Sequence, residues 1–182
     1  ISLIMEHIDR TTPAGRRDYA MIHMFREYGV RSKQVRTLRL SDLDWRKNEI
    51  RFPAMKHSKG VRMPLTLAVG ESLLDYLQNG RPPTSVSHVF VSTVPPYNPF
   101  RHAARIGTII TRRAKNAGMA DAGISPNLFR HAFASRMLRQ GQSLKTIADM
   151  LGHRRLQTTY AYTKVDFLSL SELPLEWPEE LS

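Results

Sequence analysis

The feature that most restricts the fold of this chain is the punctuation of its apolar stripes. Ser or Thr stands where helices begin, glycine where they stop, and one short hairpin interrupts the series. Thr12-Pro13 opens a stretch to Tyr28 in which Tyr19, Ile22, Met24 and Phe25 recur at helical spacing, and Gly29 occupies the C-terminal cap position. Ser32 opens a second helix that carries Val35, Leu38 and Leu40 inward, and Thr66 to Gln78 forms a third, closed by Asn79-Gly80. Helix is predicted again from about His102 to Ala117, from Ser125-Pro126 to Gly141, from Ser143 to Gly152, and over Thr158 to Tyr162. Between the second and third helices, Glu49 to Phe52 and Val61 to Leu65 read as antiparallel strands, entered through a turn at Lys47-Asn48. His88 to Ser92 reads as a third strand, and the proline-rich stretch Thr93 to Phe100 as a loop. The expected class is mainly α with a small antiparallel β-sheet, an α+β fold.

At 182 residues the chain is long enough for one domain with a substantial core. Its 27 Lys and Arg against 16 Asp and Glu give a formal charge of +11, dispersed rather than gathered in one run. Such a surface suits a polyanion, nucleic acid first. Cysteine is absent, which excludes disulfides and thiolate metal sites and favours an intracellular compartment. No apolar run reaches the roughly 18 residues of a membrane span, so no membrane partner is expected. The start, Ile1-Ser2-Leu3-Ile4, carries neither an initiating Met nor a signal-peptide pattern and reads as a fragment.

Five residues stand out in order: Arg31 after Gly29-Val30, Lys56 in the basic hairpin loop, Arg130, His153 in Leu151-Gly152-His153, and Tyr162 nine residues beyond His153. Taken singly, each has an ordinary explanation, since turn arginines are usually solvated, hairpin lysines are common, and a lone Tyr is more often core than nucleophile. Their order resembles that of the tyrosine recombinases, the phage-integrase family. Gly29-Val30-Arg31 with the leucine-containing helix and Asp42-Leu43-Asp44 is similar to the family's first box, and Asn127-Leu128-Phe129-Arg130 to its His-x-x-Arg box. Lys56 precedes Pro64-Leu65 by eight residues, as in the family's lysine-bearing hairpin. By that register Lys56 is the catalytic lysine and Lys59 a DNA-backbone contact, with a shifted loop as the alternative. Tyr162, not its neighbour Tyr160, is the nucleophile the resemblance implies.

The chain departs from the pattern twice. Gln34 stands where the family commonly has an acid, and Asn127 where it has His or sometimes Lys. Asparagine can donate a hydrogen bond to phosphate but cannot exchange a proton near neutral pH. Either a donor suffices there, or the enzyme is attenuated; His131 lies on another helical face and is not a substitute base.

The resemblance implies a site-specific DNA recombinase that works through a 3′-phosphotyrosine intermediate, with no metal, ATP or other cofactor. Arg31 and Arg130 would bind the non-bridging phosphate oxygens, Lys56 would protonate the leaving 5′ oxygen, and His153 would orient the phosphate or share proton movement with Tyr162. Lys59, Arg62, Arg154 and Arg155 would contact DNA. Residues 1–166 would form the catalytic domain and 167–182 a tail docking on a neighbouring protomer, with an N-terminal core-binding domain absent. The expected partners are double-stranded DNA and three further copies in a homotetramer, in a bacterial cytoplasm or nucleoid. A type IB topoisomerase and a catalytically attenuated DNA-binding relative are the alternatives.

Overall fold

A computed structural model describes residues 1–55, 59–120 and 123–153. It contains helices α1 (Ser2–Glu6), α2 (Pro13–Tyr28) and α3 (Ser32–Thr37), then a 3-10 turn (Leu40–Asp42) and strands β1 (Leu43–Asp44), β2 (Glu49–Phe52) and β3 (Val61–Pro64). Helices α4 (Leu67–Asn79), α5 (Ala104–Asn116), α6 (Pro126–Arg139) and α7 (Leu144–Met150) follow. The fold is mainly helical with one small antiparallel sheet, as its punctuation predicts.

Helix α2 is the central element and packs against α1, α4, α5 and α6. Thr12 accepts a hydrogen bond from the Gly15 amide, Pro13 lies in the first turn, and Gly29 closes the helix at φ 57°, ψ 28°. Met21, Ile22, Met24 and Phe25 are wholly buried. Tyr19, expected inside, is only partly buried; the Arg10 guanidinium lies 4.5 Å from its ring centroid. Ser125 and Ser143 cap α6 and α7 by accepting from the amides of Leu128 and Thr146. Leu40, read as inward, is exposed instead.

The sheet order is β1-β2-β3, with Leu43 opposite Ile50 and Ile50 opposite Met63. Those three side chains are buried, whereas Arg51 and Arg62, paired across the other face, are exposed. Asn48 takes the left-handed conformation at φ 51° in the predicted turn. The hydroxyl of Tyr28, at the end of α2, donates to the Pro64 carbonyl at 2.9 Å and accepts from the Thr66 amide at 3.2 Å. One side chain thus fixes the sheet to the central helix.

The third strand lies elsewhere than predicted. Leu43–Asp44 supplies it, and His88 to Ser92 instead bends at Val89 and Phe90 between isolated bridges from His88 to Arg39 and from Val91 to Pro99. Val89, Phe90 and Val91 are all wholly buried, so this run reads as strand but is core-crossing chain. Its backbone pairs with the segment after α3, through Leu40 N–H to Ser87 O and Val89 N–H to Leu38 O, both 2.9 Å. Arg81 donates to the carbonyls of Val86, His88 and Val89, and Tyr76 stacks on Phe90 with centroids 5.5 Å apart.

A wholly buried carboxylate, Asp18, joins α2 to α5. One oxygen accepts from Arg17 at 2.7 Å, the other from Arg113 at 2.7 Å and Arg112 at 3.4 Å. Arg17 in turn donates to the Val91 carbonyl at 3.3 Å and lies over the Phe100 ring. Removing one partner from such a group leaves buried charge uncompensated. Asp18→Ala is expected to cost about 3 kcal/mol or more, lowering Tm by roughly 6 °C or more for a chain of this size. Thermal unfolding followed by circular dichroism checks this, and an unchanged Tm would contradict the role of Asp18 as the α2–α5 tie.

Candidate active site

Three of the residues singled out by order, Arg31, Arg130 and His153, are brought together at one place. Arg130 projects from α6 and is 5% exposed. Its Nη1 donates to the Gly29 carbonyl at 2.8 Å, and its Nη2 to the Leu151 carbonyl at 2.7 Å. The same Nη2 lies 2.7 Å from His153 Nε2. A guanidinium can only donate, so Nε2 is the acceptor, and the proton of the neutral imidazole is assigned to Nδ1.

Local sequence explains each placement. The left-handed Gly29 turns the chain sharply after α2, so that Val30 is buried and Arg31 stands at the N-cap of α3. A Cβ on Gly29 would lie 2.8 Å from Phe133 of α6, which explains why the α2 terminus comes close enough for its carbonyl to meet Arg130. At the end of α7, Gly152 has φ 65° and the His153 amide donates to the Ala148 carbonyl at 2.8 Å. That pattern is a Schellman closure, and it reverses the chain so that His153 turns back toward α6. Leu151, 2% exposed, anchors the turn in the core.

Burial first, then the positive charges of Arg130 and Arg31, push His153 down to about 4. It is therefore neutral at physiological pH, with a lone pair held by Arg130. The site joins fixed positive charge to a neutral imidazole, a combination suited to an anionic phosphate.

Gln34, 2% exposed, makes two bonds: its Oε1 accepts from the Arg31 amide at 3.0 Å and its Nε2 donates to the Pro53 carbonyl at 3.4 Å. The Lys59 amide donates to the Gly152 carbonyl at 3.1 Å, so the far side of the lysine hairpin meets the turn that carries His153. The Lys59 side chain is exposed. Asn127 is exposed on α6, one turn before Arg130 and on the same face. His131 is exposed as well. Arg62 is exposed and lines a cleft with Asp42, Asp44, Lys47, Glu49 and Arg51. Lys56, Arg154, Arg155 and Tyr162, with the tail from 167 on, lie outside the described residues. Among the described residues, no group of three His, Cys, Asp or Glu could hold a metal ion, and no helix is long and apolar enough to cross a membrane.

Sequence reasoning missed the acceptors of Arg130 and the reach of Gln34 to Pro53. The spacing of Arg31 and Gln34, an N-cap and the third helical position, was a visible signal for half of the Gln34 arrangement. Backbone carbonyls carry no such signal.

Residues 1–168 match the phage integrase family. A Sinorhizobium fredii protein with a provisional integrase/recombinase designation, y4rA, is 42% identical over 180 residues, covering 99% of this chain and 44% of that protein. A second S. fredii protein, y4gC, with the same designation, is 38% identical over 168 residues, covering 92% of this chain and 86% of that one. The tyrosine recombinase XerC of Oceanobacillus iheyensis is 30% identical over 168 residues, 89% of this chain and 53% of XerC. The chain thus spans about half the length of y4rA and XerC, and most of y4gC. The crystal structure of XerA recombinase superposes with a TM-score of 0.77 at 24% identity, over 96% of this chain and 63% of that one.

The neutral state of His153 has a measurable consequence. Its folded value of about 4 lies below the ordinary 6.5, so between those values unfolding takes up a proton. The stability it contributes is complete above about pH 6.5 and is lost as pH falls toward about 4. In a pH series of NMR spectra the His153 ring should stay neutral at pH 6, and a midpoint near 6.5 would count against the geometry described.

Proposed function

This chain belongs to the phage integrase family, the tyrosine recombinases, and on that premise we propose that it is the catalytic domain of a site-specific DNA recombinase. The observation that carries the reading is the meeting of Arg31, Arg130 and His153, with both flanks of the lysine hairpin tied to the same elements.

In this reading the Tyr162 phenol oxygen attacks a DNA phosphorus, a tyrosine–phosphorus bond forms, and the bond to the deoxyribose 5′ oxygen breaks. Lys56 gives the leaving oxygen its proton. A bound phosphate offsets the positive charges that depress His153, and it draws the Arg130 Nη2 donor away from Nε2. The released lone pair of His153 then takes the phenol proton. Arg31 and Arg130 hold the extra negative charge of the five-coordinate transition state, an effect worth on the order of 10³-fold for one arginine by analogy with other phosphoryl transfers. The phosphotyrosine keeps the bond energy, so neither ATP nor metal is needed, and a 5′ hydroxyl from a second strand reverses the step on a new partner. The working assembly is four copies on two DNA duplexes, with residues 167–182 reaching a neighbouring copy. The side chains of Lys59, Arg154 and Arg155 contact the DNA backbone.

A second reading, an attenuated DNA-binding relative, draws on Asn127, an exposed amide without proton-transfer capacity beside Arg130. One experiment separates them. A nicked suicide DNA substrate in EDTA should give a covalent protein–DNA adduct that disappears in Tyr162→Phe. Binding without any adduct in the unsubstituted protein favours the attenuated relative, and an adduct that survives Tyr162→Phe refutes the nucleophile. Arg130→Lys, which keeps the charge but loses the forked donors, should slow adduct formation by about 10³-fold, read from single-turnover time courses.

A further inference from the structure

We propose that Gln34 is a positioning residue that couples Arg31 to the catalytic lysine, through an amide link that an ionised carboxylate cannot make. This rests on the reading of Lys56 as general acid.

The orientation of the amide follows from its partners. The Arg31 amide is a donor, so the Gln34 oxygen must face it, at 3.0 Å, and the Gln34 NH₂ is left for the Pro53 carbonyl, at 3.4 Å. With 2% exposure, water has little access to replace either bond. Pro53 stands just after β2, and Pro53-Ala54-Met55 leads directly into Lys56. On the far side of residues 56–58, the Lys59 amide is held by the Gly152 carbonyl, next to His153. The chain therefore enters the lysine segment from a point fixed to Arg31 and leaves it at a point fixed to His153.

The sequence pattern of the family commonly has an acid at position 34. A carboxylate would keep the bond from the Arg31 amide, but its other oxygen would face the Pro53 carbonyl, acceptor against acceptor. The amide makes one donated and one accepted bond where an ionised acid could make only the accepted one. Gln34 is thus a different solution for holding the hairpin, and its loss should be felt at the lysine before the phosphate clamp.

The test uses the full chain and two nicked suicide substrates, one with the ordinary 5′ oxygen and one with sulfur at that bridging position. A thiolate leaves unprotonated, so the sulfur substrate does not need a general acid. Gln34→Glu should cleave the oxygen substrate roughly tenfold more slowly and the sulfur substrate close to the unsubstituted rate. An unchanged rate on oxygen overturns the proposal, and so does equal slowing on both, which would place the effect on Arg31 or on the fold. Lys56→Ala runs alongside: if sulfur does not rescue it, Lys56 is not the acid and the coupling falls with that assignment. Failure of the recombinase reading itself shows separately, as an adduct that survives Tyr162→Phe. Should Gln34→Glu not fold, Gln34→Met removes both bonds without adding charge; partial recovery on sulfur supports the coupling, and equal loss on both substrates refutes it.

Discussion

A buried guanidinium must place its N–H donors on acceptors, and the way Arg130 does so fixes the geometry of the whole site. Its partners come from the end of α2, 101 residues earlier, and the end of α7, 21 residues later. Neither helix terminus makes this arrangement alone. The α2 end needs glycine to approach α6, and the α7 end needs a left-handed glycine to turn His153 inward. Each gives Arg130 a carbonyl to donate to, and leaving a buried carbonyl unpaired costs about 1–3 kcal/mol. A residue marked by its order in the sequence as a phosphate ligand is therefore also a strut between three helices.

The fold uses its arginines in two ways. Arg17, Arg112 and Arg113 converge on Asp18, whose carboxylate offsets their charge and locks α2 to α5. Arg31 and Arg130 instead act together on His153, adding to its burial in holding the imidazole neutral. The first group holds the fold, and the second sets the charge state of the imidazole at the candidate site.

Much of this was legible in the sequence, for identifiable reasons. Helices α2, α6 and α7 announce themselves through Thr12, Ser125 and Ser143 at one end and glycine beyond the other, because caps and left-handed turns restrict residue type strongly. The hairpin was visible through its alternating strands. Helix α1 and strand β1, of five and two residues, are too short for any period to show. The run Val89 to Val91 was misplaced because consecutive buried apolar residues do not say which neighbour they pair with. Asp18 sits in step with Met21, Ile22 and Phe25 on the buried face of α2, so a charge at a stripe position was the available clue. Arg31, Arg130 and His153 were identifiable by order, but their mutual contacts were not, since they run through carbonyls that every residue possesses.

That last property bears on how such a site can persist through divergence. Arg130 meets Gly29 and Leu151, Gln34 meets Pro53, and Lys59 meets Gly152, in every case at a main-chain oxygen. At these receiving positions selection acts on the path of the backbone, and side chains are constrained only so far as they bend that path. Drift can therefore replace much of the surrounding wall without touching these main-chain acceptors, while an insertion of one residue near 53 would displace one of them and an insertion just before 151 would displace two. Length, more than identity, is what this framework has to inherit.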